Sequence, residues 1–93
     1  MPELAHLKAI VHGRVQGVYY RAFASREAKS LSLKGYVRNI SNGDVEVEAE
    51  GEKGLLEELL RRLQAGPDGA SVEKIDLSWP EYQGKYSAFD VRY

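Results

Sequence analysis

The chain has no cysteine, which removes disulfide frameworks, thiolate metal sites and thiol nucleophiles from consideration and leaves the redox compartment open. It also lacks an excess of charge of either sign: 13 Lys and Arg stand against 14 Asp and Glu, a formal charge of −1. No global positive field is available to hold a nucleic-acid backbone or an anionic membrane, so any anion has to be bound locally. Long apolar runs are missing too. None approaches the roughly 20 residues that cross a bilayer, and the first residues show no basic segment leading into an apolar one. A membrane span and a secretory leader are therefore not expected, and a cytoplasmic location is.

What is present is an ordinary globular composition, 43% apolar and 29% charged, with enough chain for one core but not two, so residues 1–93 are expected to form a single domain. Leu7, Ala9 and Val11 alternate with His6, Lys8 and His12, the pattern of a half-buried strand over residues 6–12. Gly13 and Gly17 interrupt that period and bound a loop. Tyr20, Phe23, Ala24, Glu27, Ala28 and Leu31 then fall at helical spacing. An extended stretch over residues 36–41 runs into Asn42-Gly43, a two-residue hairpin signal of the primed-turn type. Beyond it Val45, Val47 and Ala49 alternate with Glu46, Glu48 and Glu50, which predicts one core face and one solvated acidic face. Leu55, Leu56, Leu59, Leu60 and Leu63 form the apolar stripe of a second helix. After the turn Gly66-Pro67-Asp68-Gly69, Ile75, Leu77 and Trp79 alternate with Lys74, Asp76 and Ser78 as a further strand. A polar loop over residues 80–85 and a short strand over 87–92 close the chain. The order β-α-β-β-α-β with a tail strand predicts an α+β fold: a ferredoxin-like sandwich with an antiparallel sheet, both helices on one face and a short extra C-terminal strand.

The glycine-bounded loop stands between a strand and a helix N-terminus, where unpaired backbone N–H groups and the helix dipole favour an anion. Arg21 sits at the start of that helix. A cation there is repelled by the dipole, a mismatch that points to an anion nearby, and a guanidinium can contact two phosphate oxygens at once. The loop lacks the Gly-Lys-Ser/Thr ending of a nucleotide-phosphate loop and the third glycine of a dinucleotide fingerprint. Several other residues have plainer readings. Arg38 lies on the opposite strand face from Asn39 and reads as a solvated or ion-paired charge. His6 and His12 are about 20 Å apart along one strand, too far to share a metal, and read as surface residues. Glu46, Glu48 and Glu50 read as a solvated sheet face rather than a cation site.

Two segments resemble the signatures of a known family. Gly13-Arg14-Val15-Gln16-Gly17-Val18-Tyr19-Tyr20-Arg21 resembles the phosphate loop of the acylphosphatases, and Gly35-Tyr36-Val37-Arg38-Asn39 resembles that family's second motif. With Asn42-Gly43, Val45-Glu46 and the terminal Phe89-Asp90-Val91-Arg92-Tyr93, the likeness spans essentially the whole chain. The resemblance implies an enzyme that hydrolyses acyl phosphates to carboxylate and inorganic phosphate without metal or organic cofactor; a monomer acting on a small molecule, and not on a membrane or nucleic acid, is expected alongside. It further implies that backbone N–H groups of Val15, Gln16, Gly17, Val18, Tyr19 and Tyr20 line the phosphate site, that Arg21 binds the phosphate and that Asn39 orients the attacking water. One position departs: the family commonly has Phe before the arginine, where this chain has Tyr20, whose hydroxyl needs a partner.

A competing expectation is an RNA-binding sheet, because Lys34-Gly35-Tyr36-Val37-Arg38 faintly echoes an RNA-recognition strand. The slight negative charge and the neighbouring glutamates oppose it. A third, a module of a carbamoyl-transfer or regulatory assembly, is opposed by the short chain ends.

Overall fold

The computed structural model describes residues 3–93. Its elements are β1 (Leu4–Arg14), α1 (Tyr20–Ser30), β2 (Lys34–Asn39), β3 (Val45–Glu52), α2 (Lys53–Ala65), β4 (Ser71–Ser78) and β5 (Phe89–Arg92). The strands form one sheet in the order β4-β1-β3-β2-β5. Leu7, Ala9, Val11, Val37, Val45, Val47 and Ala49 face the helices and are buried against Tyr20, Ala24 and Ala28 of α1 and Leu56, Leu59 and Leu63 of α2. This is the expected ferredoxin-like α+β sandwich, with one correction. The first four strands pair antiparallel, but β5 pairs parallel with β2, so the sheet is mixed. β4 and β2 run in opposite directions on opposite sides of the sheet, so a chain that leaves β4 and crosses to the far edge re-enters alongside β2.

Local departures from the periodic reading have identifiable causes. Gly13 does not end β1: the ladder to β4 shifts register between His12 and Gly13 and continues to Arg14. At Gly13, φ is +131° and a Cβ would run into the Ser71 carbonyl, so the glycine permits a bulge that keeps the strands paired. The hairpin closes between Ile40 and Asp44, with the Ile40 N–H donating to the Asp44 carbonyl at 3.0 Å. Residues 41–43 therefore form the loop and only Gly43 has positive φ, which excludes the two-residue primed turn. Leu77 and Trp79 remain 49% and 41% exposed. They lie at the end of an edge strand, where the side that alternation selects has little to cover it.

The face away from the helices differs most from expectation. Glu46, Glu50 and His6 are buried, not solvated. The Tyr36 hydroxyl lies 2.7 Å from Glu46 Oε1 and 2.6 Å from Glu48 Oε2, and Arg38 Nε donates to Glu46 at 2.7 Å. His6 sits between Glu48 and Glu50, and His12, half-buried, between Asp44 and Asp76. Burial pushes the Glu48 and Glu50 carboxyls up, but hydrogen bonds from Tyr36 and His6 to the first, and from backbone amides and His6 to the second, outweigh it and hold both below the ordinary carboxylate range. Folded-state values below the unfolded ones mean that this contribution to stability is complete above the ordinary carboxylate range. It is lost as pH falls through the folded values.

Candidate active site

After β1 the backbone alternates in hand. Gly17 and Tyr19 have φ of +75° and +60°, while Gln16 and Val18 keep negative φ. Such alternation is the backbone pattern that lets successive N–H groups turn toward a common centre, as in an anion-binding nest. Holding a tyrosine in the left-handed region costs about 1–2 kcal/mol, strain of the kind found where backbone geometry serves a ligand. Tyr19 is also the N-cap of α1 and makes no side-chain cap bond, so the first-turn N–H groups of α1 are left open beside the nest.

This nest forms one wall of a cavity of ≈ 400 Å³. Val15, Gly17, Tyr19 and Tyr20 contribute from the loop and helix start, Arg21 and Ala22 from α1, Asn39 from β2, and Val91 and Tyr93 from the end of the chain. Arg21 is half-buried, its Nη1 donates to the Arg92 carbonyl at 2.9 Å, and its guanidinium lies 4.5 Å from the centre of the Tyr93 ring. Among the described residues no carboxylate comes within ion-pair distance of Arg21, so its charge is available to a ligand. Asn39 ends β2 on the same strand face as Val37, whereas Arg38 points the other way to Glu46. The hairpin carrying Asn39 is tied to the loop by Gln16, whose Nε2 donates to the carbonyls of Ile40 and Asp44, each at 2.9 Å. Of the expected loop residues, Gln16 and Val18 do not line the cavity.

The arginine and the asparagine, thus brought to one cavity, come from two segments that both lie within the match to a family model. The model described as acylphosphatase matches residues 7–91. The chain belongs to the acylphosphatase family. An acylphosphatase from Dehalococcoides mccartyi is 47% identical over 88 residues, 94% of this chain and 97% of that protein. Another from Thermus thermophilus is 49% identical over 81 residues, 87% of this chain and 92% of the relative. The crystal structure of acylphosphatase from Bacillus subtilis superposes with a TM-score of 0.92 at 32% identity, covering 98% of this chain and all of that one.

Where this acylphosphatase-family chain carries Tyr20 in place of the common Phe, the hydroxyl has a partner: it donates to the Leu63 carbonyl of α2 at 2.6 Å. That carbonyl belongs to the last turn of α2, which has no helical donor of its own. Burial pushes the Tyr20 phenol well above its ordinary range, so it stays a donor. Tyr20→Phe is expected to lower stability by about 1–2 kcal/mol, read as a shift in the urea midpoint at constant slope.

Among the described residues, no group of three or more His, Asp or Glu side chains could hold a metal ion. Nor does Tyr36 offer a base-stacking platform. It is buried, its hydroxyl is engaged by two glutamates, and the Arg92 guanidinium lies 4.0 Å from its ring centre. Sequence reasoning missed Val91 and Tyr93 as cavity residues. The alternation of Phe89, Val91 and Tyr93 on β5 and just beyond it was the available signal, since Phe89 is buried in the core and the other two share its side of the strand.

Proposed function

We propose that this chain hydrolyses the carboxyl–phosphate bond of a small acyl phosphate, with Arg21 and the loop N–H groups holding the phosphate and Asn39 directing water at phosphorus. The observation that carries the reading is the meeting of an unneutralised guanidinium, an uncapped helix N-terminus and a carboxamide in one cavity. The nest and Arg21 face the equatorial oxygens, on which charge is spread in the loose transition state of phosphoryl transfer. The Asn39 amide accepts a hydrogen bond from water and donates one to water or phosphate, which fixes the water oxygen in line with the leaving carboxylate. The water oxygen bonds to phosphorus as the acyl oxygen–phosphorus bond breaks. The carboxylate leaves with the electron pair, and the water proton passes to a phosphate oxygen. A carboxylate is a good leaving group, so neither a side-chain base nor a covalent intermediate is needed.

A monomeric working unit and a cytoplasmic location are part of the same proposal. Release of inorganic phosphate from benzoyl phosphate in the presence of a chelator tests the reading, and a rate no greater than in buffer would end it. The pH dependence is a second measurement. The proposed step uses no side-chain acid or base, so kcat is expected to stay nearly level between about pH 6 and 8. A bell-shaped profile in that window would instead require a titrating catalytic group.

A further inference from the structure

The crossover from β4 to β5, residues 79–88, has no regular secondary structure, yet it is held to the sheet at one concentrated point. Glu50 on β3, 4% exposed, turns both carboxylate oxygens toward it. Oε2 accepts the N–H groups of Gln83 at 2.9 Å and Gly84 at 3.2 Å, and Oε1 accepts that of Lys85 at 3.0 Å. Gly84 has φ of +65°, which lets three successive amides converge on one group. His6 Nδ1 lies 3.0 Å from Oε2, and Tyr86 packs its ring against His6 and Tyr36 at 5.9 and 6.1 Å between centres. None of these residues lines the cavity, and the mechanism above uses none of them.

A buried carboxylate is unfavourable unless its lone pairs are filled, and here the amides of a single segment fill them. Such an arrangement does more to specify where the segment sits than to add stability. What the segment leads into is β5, a four-residue edge strand. Its pairing begins where the Gly35 N–H donates to the Ala88 carbonyl at 2.9 Å, and it ends with the Arg92 carbonyl and the Tyr93 ring on the Arg21 guanidinium. We propose that Glu50 is a positioning residue for Arg21: by seating residues 83–85 it sets how β5 lies on β2, and β5 in turn aims the guanidinium. This rests on Arg21 being the phosphate ligand of the preceding section.

Glu50→Gln keeps the side-chain shape but puts an NH2 donor among N–H donors. Hydrogen exchange at residues 83–85 and along β5 is expected to quicken. The inhibition constant for inorganic phosphate and the KM for benzoyl phosphate should rise together, about three- to tenfold, with a smaller change in kcat. Tyr86→Ala, which loosens the same segment from its own side, should move the same quantities in the same direction and carries the test if Glu50→Gln does not fold. Ile75→Ala, on β4 at the opposite edge of the sheet, serves as the destabilised control and should leave both constants unmoved. Faster exchange with unchanged constants would overturn the proposal, as would exchange as slow as in the parent protein. If Arg21→Ala retained normal phosphate inhibition, the reading of the site itself would fall, whatever the Glu50 and Tyr86 variants did.

Discussion

Arg21→Ala is expected to lower kcat/KM for benzoyl phosphate by about 10³-fold and to abolish competitive inhibition by inorganic phosphate. The size of the effect follows from the electrostatics of the cavity. Among the described residues, Arg21 is the one cationic side chain lining it, no carboxylate neutralises it, and the remaining donors are uncharged: backbone N–H groups, the Asn39 amide and tyrosine hydroxyls. Removing a fixed charge that contacts the phosphate in both the ground and transition states should raise KM as well as lower kcat. Arg21→Lys keeps the charge but loses the planar fork, and should recover only part of the binding. The fold should survive, because the guanidinium's only hydrogen bond to the described protein is to the Arg92 carbonyl. Steady-state kinetics alongside a urea titration check both halves of the statement, and an ordinary KM in a folded Arg21→Ala protein would contradict it.

Asn39→Ala should show the complementary signature: kcat lower by about 10²-fold with KM within a few-fold of the parent. A residue that aims water contributes little to holding the phosphate, so its loss appears in turnover. Asn39 is exposed and its side chain makes no hydrogen bond among the described residues, so stability should hardly change. Asn39→Asp adds a different component. It sets a negative charge in an anion cavity and should raise KM by repulsion in addition to lowering kcat, more so at low salt. Equal loss of binding in Asn39→Ala would place Asn39 on the phosphate instead of the water.

Much of the site was legible because it is carried by short, continuous segments. Gly13 and Gly17 mark a backbone that cannot be ordinary strand or helix, and an arginine at a helix start is a local electrostatic contradiction that an anion resolves. Tyr20 was legible as a problem, a hydroxyl in a place suited to Phe, but its solution, the Leu63 carbonyl, lies in another helix. Gln16 stands within the loop motif, yet its side chain serves the hairpin and not the cavity. Tyr93 was read only as part of a terminal motif, and its place over Arg21 depends on β5 lying parallel to β2.

Periodicity in one dimension determined the elements, the helix-facing core and the partnership of a glycine loop with Arg21, because burial of one face repeats at 2 or 3.6 residues whatever the remote surroundings. The same periodicity assigned Glu46, Glu50 and His6 to a face without saying what lies over that face. Their burial, the direction of β5 and the meeting of Arg21 with Asn39 and Tyr93 all depend on contacts between segments far apart in the chain. Alternation reports which way a side chain points, whereas the cover it finds there is supplied by distant residues, and only folding brings those into place.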